Sequence, residues 1–146
     1  MGRVSRFEVD LALAGQMIDA AVQAAHAQAV VVSVAVVDAG GHLIAFARMD
    51  GAEIAGPRLA TDKAFTAVAH RSPTADLQSL VAPGGPLAGM YAADAGRYVC
   101  FPGGVPLWDG ERVIAGIGVS GGTADEDATC ALAAQAIYTA AVDQPA

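Results

Sequence analysis

The sequence predicts an α+β fold, an antiparallel sheet of about five strands flanked by about four helices. Three observations predict it. Apolar residues recur at helical spacing near both ends of the chain, β-branched runs come in groups joined by turn residues, and strands do not alternate with helices as a parallel sheet would require. With 146 residues, 54% of them apolar, residues 1–146 are expected to form one domain with a full hydrophobic core.

From Val9 to about Gln28, Leu11, Ala14, Ile18, Ala21, Val22 and Ala25 mark the stripe of an amphipathic helix. Residues 30–37, VVVSVAVV, are dense in β-branched side chains, and Asp38-Ala-Gly-Gly41 supplies the turn to a second apolar run, Leu43 to Ala47. That is a hairpin. Gly56 as N-cap and Pro57 in the first turn open a second helix to about Arg71. Ser72-Pro73-Thr74 starts a short third helix that Pro83-Gly-Gly-Pro86 ends, and the segment from there to Arg97 fits either loop or irregular helix. Tyr98 to Phe101, Val105 to Trp108 and Arg112 to Ser120 read as three further strands, the last two joined at Asp109-Gly110. Thr123-Ala-Asp-Glu126 has the form of a capping box, which starts the last helix near Ala124 and carries it to about Val142.

Charge narrows the partners. Eight basic residues against fifteen acidic ones give a formal charge of -7, which repels phosphate backbones and anionic lipid, so neither nucleic acid nor a membrane is expected. The apolar stretch from Leu11 to Val37 is interrupted by Gln16, Asp19, Gln23, His26 and Gln28 and is too broken to span a bilayer. The opening residues lack the apolar core of a secretion signal, which predicts a cytoplasmic protein. Cys100 and Cys130 show no CxxC spacing and are expected as buried, reduced thiols.

Candidate chemistry is spread over several segments. Gly103, Gly104, Gly116, Gly118, Gly121 and Gly122 either permit tight sheet and turn geometry or let a flat ligand approach, with the packing role favoured. Ser120-Gly-Gly-Thr123 leads into a helix N-terminus that can hold an anion, although Asp125, Glu126 and Asp127 already satisfy that dipole. On the second helix, steps of about 100° place Leu59, Lys63, Thr66 and His70 along one stripe beside a smooth face of Ala60, Ala64, Ala67 and Val68. Lys63 is then an anion anchor, a nucleophile, a surface lysine or one half of an ion pair. Arg48 beside Asp50 and Asp38 is either a carboxylate clamp or an ion pair fixing the loop. His26, His42 and His70 have no metal-ligand spacing, so no metal site is expected; a single histidine, Tyr91, Tyr98 or Met90 can still ligate haem iron.

Several strings together resemble one family, GlcG/HbpS. They are Val36-Val-Asp-Ala-Gly-Gly-His-Leu43, Arg48-Met-Asp-Gly-Ala52, Asp62-Lys-Ala-Phe-Thr-Ala67, Pro73-Thr74, Gly103-Gly-Val-Pro-Leu107 and Gly116-Ile-Gly-Val-Ser-Gly-Gly122, with Asp127 downstream. They cover nearly the whole chain in order. The resemblance implies a profilin-like sheet, assembly into compact homo-oligomers that are often octamers, and haem binding in some members, among them a domain of certain corrinoid adenosyltransferases. Where many members carry a serine and an acidic residue, this chain has Ala55-Gly-Pro-Arg58, which adds a positive charge beside Lys63, and His70 stands where relatives often have a glycine-containing segment. No iron ligand carries over.

The leading reading is a homo-oligomer that binds a small molecule, with haem the named candidate and Arg48, Asp50, Arg58, Lys63, His70, Gly103, Gly104 and Ser120 as the ligand-binding residues. The site is expected between the second helix and Gly103-Gly104, close to the Arg48 to Gly51 loop. Alanine-rich helix faces support an oligomer. An enzyme acting on a small anionic carbonyl or aromatic compound through Lys63 stands as the alternative, and a non-catalytic interaction module as the third.

Overall fold

The computed structural model describes residues 2–144. Four α-helices and four strands follow in the order α1 (Leu11–Ala27), β1 (Ser33–Asp38), β2 (Leu43–Arg48), α2 (Gly56–His70), α3 (Thr74–Val81), β3 (Gly104–Asp109), β4 (Arg112–Ser120) and α4 (Ala124–Val142). Two 3-10 turns, Met90–Ala92 and Asp94–Gly96, lie between α3 and β3. The sheet has the order β2-β1-β4-β3 and every pairing is antiparallel.

Alternation along the strands sorts side chains between two unequal cores. Val34 and Val36 of β1, with Ile117 and Val119 of β4, enter the larger core, where Met17, Ile18 and Ala21 of α1 and Ala131, Ala134 and Tyr138 of α4 cover the sheet. Their neighbours Ala35 and Val37 face the other way, against Ala60 and Ala64 of α2. This second layer is thin because β4 presents glycine there. A Cβ on Gly116 would stand 2.7 Å from the Ala64 carbonyl oxygen, and one on Gly118 would overlap the Ala60 carbonyl outright. The helix backbone thus rests almost directly on the strand.

Helix ends follow local chemistry. Asp10 caps α1 by accepting from the Leu13 amide, and Thr123 and Glu126 form the reciprocal capping box of α4. At α2 the N-cap is Ala55, with Gly56 and Pro57 already inside the helix, one residue earlier than the sequence suggests. The ladder of β1 begins at Ser33, so residues 30–32 precede it.

The strand count needs correction from about five to four. Tyr98 to Phe101 forms no strand and pairs with none among the described residues. It runs beside α2, where the Val99 amide donates to Thr66 Oγ1 at 3.0 Å, so a helix side chain takes the hydrogen bond that a neighbouring strand would have offered. Thr74, at the start of α3, likewise accepts from the Gly104 amide at 2.9 Å and ties α3 to the start of β3. Among the described residues no helix is long and apolar enough to cross a membrane.

Candidate functional site

The stripe Leu59, Lys63, Thr66 and His70 faces the segment from Tyr98 to Phe101. Lys63 lies under the Phe101 ring, its Nζ 4.9 Å from the ring centre; Thr66 holds Val99; His70 meets Tyr98 edge-on at 5.1 Å. Leu59 and the aromatic side chains of Tyr91, Tyr98 and Phe101 then wall a cleft of about 380 Å³.

Lys63, the chain's only lysine, is fully buried. Its Nζ donates to the Val119 carbonyl and to Asp127 Oδ2, both at 2.9 Å, joining α2 to β4 and α4. Asp127 uses its other oxygen to accept from the Gly122 amide at 2.8 Å. Burial pulls the ammonium below its ordinary lysine range, while Asp127 and the more distant Glu53 push it back. The Asp127 carboxyl is raised by the same burial, against the pull of Lys63 and the Gly122 amide. Removal from water therefore outweighs attraction for each partner. Gly103 makes room for this arrangement, since it has φ +128° and a Cβ there would stand 2.6 Å from the Val119 oxygen and 2.7 Å from Lys63 Nζ. Gly104 packs on the Lys63 carbonyl just as tightly.

One residue back along α2, Asp62 pairs with Arg58 through Oδ2 and with Arg97 Nε, 3.6 Å from Oδ1. Asp62 is buried, yet the Arg58 side chain is 72% exposed. The Arg97 guanidinium lies 3.4 Å from the centre of the Phe65 ring. Two cations thus share one carboxylate, leaving a local positive excess beside the aromatic cleft.

The sequence-predicted residues divide. Lys63, Gly103 and Gly104 come together, with Ser120 nearby at the end of β4, buried opposite Ser33. Arg58 and His70 stand at opposite ends of the same helix, on the Asp62 pair and on Tyr98. Arg48 ends β2 on the surface and Asp50 follows in an exposed turn; among the described residues they form no ion pair. The interval between α2 and Gly103-Gly104 is filled by Lys63 itself. Among the described residues no cluster of histidine, cysteine and carboxylate side chains could hold a metal ion. Cys100 and Cys130 are both free and buried, and burial pushes the Cys130 thiol up to about 11.

Sequence reasoning named Asp127 and Asp62 only as parts of the family strings, not as partners of Lys63 and Arg58, and gave Arg97 no site role. The only local signal was the spacing of four between Arg58 and Asp62.

With this geometry in view, the family follows from comparison with known proteins. The profile of the family described as "Haem degrading protein HbpS-like" matches residues 9–136. The chain belongs to the HbpS-like family. This HbpS-like chain is 38% identical over 112 residues to the corrinoid adenosyltransferase PduO of Citrobacter freundii, a match covering 77% of the chain and 33% of PduO. It therefore spans about a third of that relative's length. Among solved structures, it is similar to protein ORFY of Klebsiella pneumoniae, at 33% identity and a TM-score of 0.91, over 96% of this chain and 97% of that one. It is also similar to PduOC, solved as a haem complex, at 36% identity and a TM-score of 0.87, over 90% and 95% of the two chains.

Proposed function

We propose that this HbpS-like chain binds haem in the cleft between α2 and the Tyr91 to Phe101 segment and works as a homo-oligomer. The observation that carries the reading is the likeness to the PduOC haem complex over nearly the whole of both chains. The residues at the cleft fit the group. A porphyrin is flat and apolar with two carboxylates at one edge, and the cleft offers Leu59, Val81, Val99 and Phe101 as apolar walls. The exposed Arg58 directly precedes Leu59 on α2 and suits a propionate. Tyr91 and Tyr98 supply phenol oxygens of the type that can ligate ferric iron. Cys100 is a poorer candidate, because burial pushes its thiol up and keeps it protonated. When bound, haem would supply a redox-active iron; the protein's part is to bind and orient it.

Phe101 belongs both to the cleft and to the cover over Lys63, so Lys63, Gly103 and Gly104 support the ligand from beneath. His70 braces Tyr98, while Arg48 and Asp50 lie on the surface at the far end of β2, outside the cleft lining. Exposed apolar side chains on several elements, Leu43, Phe46, Ile54 and Leu132, favour association of copies, with an octamer as the specific expectation.

Haem added stepwise to the purified chain should give a saturable Soret shift, weakened several-fold by Arg58→Gln and altered in position by Tyr91→Phe or Tyr98→Phe. No saturable shift would remove haem. Sedimentation showing only monomer at micromolar concentration would remove the oligomer.

A further inference from the structure

A second cleft lies at the opposite end of α2 from the buried Ala60 turn. It measures about 500 Å³ and is enclosed by the β1–β2 turn, the β3–β4 turn, the last two turns of α2 and the segment that precedes α1. The volume lies within the ~300–1,000 Å³ typical of small-molecule sites.

Its charge runs against that of the whole molecule. The chain carries -7 overall, yet Arg6, Arg71 and Arg112 line this one cleft against a single acid, Glu111. Among the described residues Arg71 and Arg112 form no ion pair, while Arg6 reaches only Glu8, at 3.8 Å. Arg97, stacked on Phe65 outside the cleft lining, sets an Nη 3.5 Å from the Gly41 carbonyl, but its charge is already met by Asp62. Concentrating cations in a concave site without matching carboxylates raises the local potential and draws anions in.

The walls between these cations are apolar, with Phe65, Val68 and Val113 among them. Bare phosphate or sulfate would leave that surface wet, whereas an organic acid would cover it and meet the guanidinium groups with its carboxylates. Arg112 also donates to the Ser5 carbonyl at 2.8 Å, which holds the preceding segment against the cleft and brings Val4 and Arg6 into its wall. We propose that this cleft is a binding site for a small organic dicarboxylate with an apolar body, distinct from the haem cleft and independent of it.

Titration calorimetry with phthalate in low-salt buffer tests the site without haem. Saturable binding is expected, weakened about tenfold or more by Arg71→Gln and by Arg112→Gln and reduced by added sodium chloride. Both side chains are exposed, so circular dichroism and the unfolding midpoint should stay at the wild-type values. Arg48→Gln removes the same charge at the far end of β2 and should leave the affinity unchanged. Absence of saturable heat, affinity unaltered in the Arg71 and Arg112 variants, or an equal loss in Arg48→Gln would each overturn the proposal.

Discussion

Asp62 and Lys63 are neighbours on α2, and each belongs to an ion pair, but the two pairs sit in different media. The Lys63–Asp127 pair is shut away from water, with its side chains 0% and 4% exposed. The Arg58–Asp62 pair keeps its cation mostly in solvent. The buried pair joins three elements and tolerates no missing partner, because a lone charge left there would have neither water nor counter-charge. The exposed pair adds little to stability and leaves its arginine free to meet a ligand. Burial, more than the identity of the paired groups, thus assigns one pair to the scaffold and the other to binding.

The largest effect should come from breaking the buried pair. Lys63→Met leaves Asp127 unpaired and should cost about 3–5 kcal/mol in urea unfolding, whereas Lys63→Met with Asp127→Leu should recover most of that loss. A double variant as unstable as the single would show that the pair stabilises beyond offsetting its own desolvation. Next comes the close approach that creates the buried side: in Gly118→Ala the new methyl meets α2 backbone at Ala60 and Ala64, and a loss of about 1–3 kcal/mol is expected. A wild-type midpoint would mean that α2 can lift from β4 freely.

Adjacent carboxylates on α4 sharpen the contrast through pH. Glu126, in the capping box, is held below its ordinary value by its bonds to Thr123, so its contribution is complete above about pH 4.5 and fades as pH falls through the folded value. Asp127 has the opposite sign. Burial raises its carboxyl, so the folded chain holds that proton more tightly than the unfolded one, and stability tied to this group falls as pH rises from about 3.8 through the folded value. Glu126→Ala, which removes the carboxylate that accepts from the Thr123 amide, should therefore lower the urea midpoint at neutral pH, with a smaller difference from wild type in acid. An equal difference at both pH values would count against the Glu126 contribution.

The smallest effect should be at the exposed pair. Arg58→Gln should leave the urea midpoint unchanged while weakening haem binding, and a lowered midpoint would move this arginine into the scaffold.

What the sequence determined by itself was local. The capping box at Thr123 and Glu126, the turn at Asp109-Gly110 and the helical stripe through Leu59, Lys63, Thr66 and His70 depend on torsions and hydrogen bonds within a few residues, and the stripe's common orientation survives in the fold. Tertiary structure decided the partners on the other side of each contact. Tyr98 to Phe101 has strand-like composition, yet it lies along a helix because Thr66 takes the Val99 amide and the sheet edge begins only at Gly104. Lys63 could be read as anchor, nucleophile, surface residue or ion-pair member until Asp127, far along the chain, was brought to 2.9 Å in a space that glycine leaves open. Periodicity says which side of an element a residue occupies; whether that side meets water, a carboxylate or an aromatic ring depends on segments that become neighbours only when the chain folds.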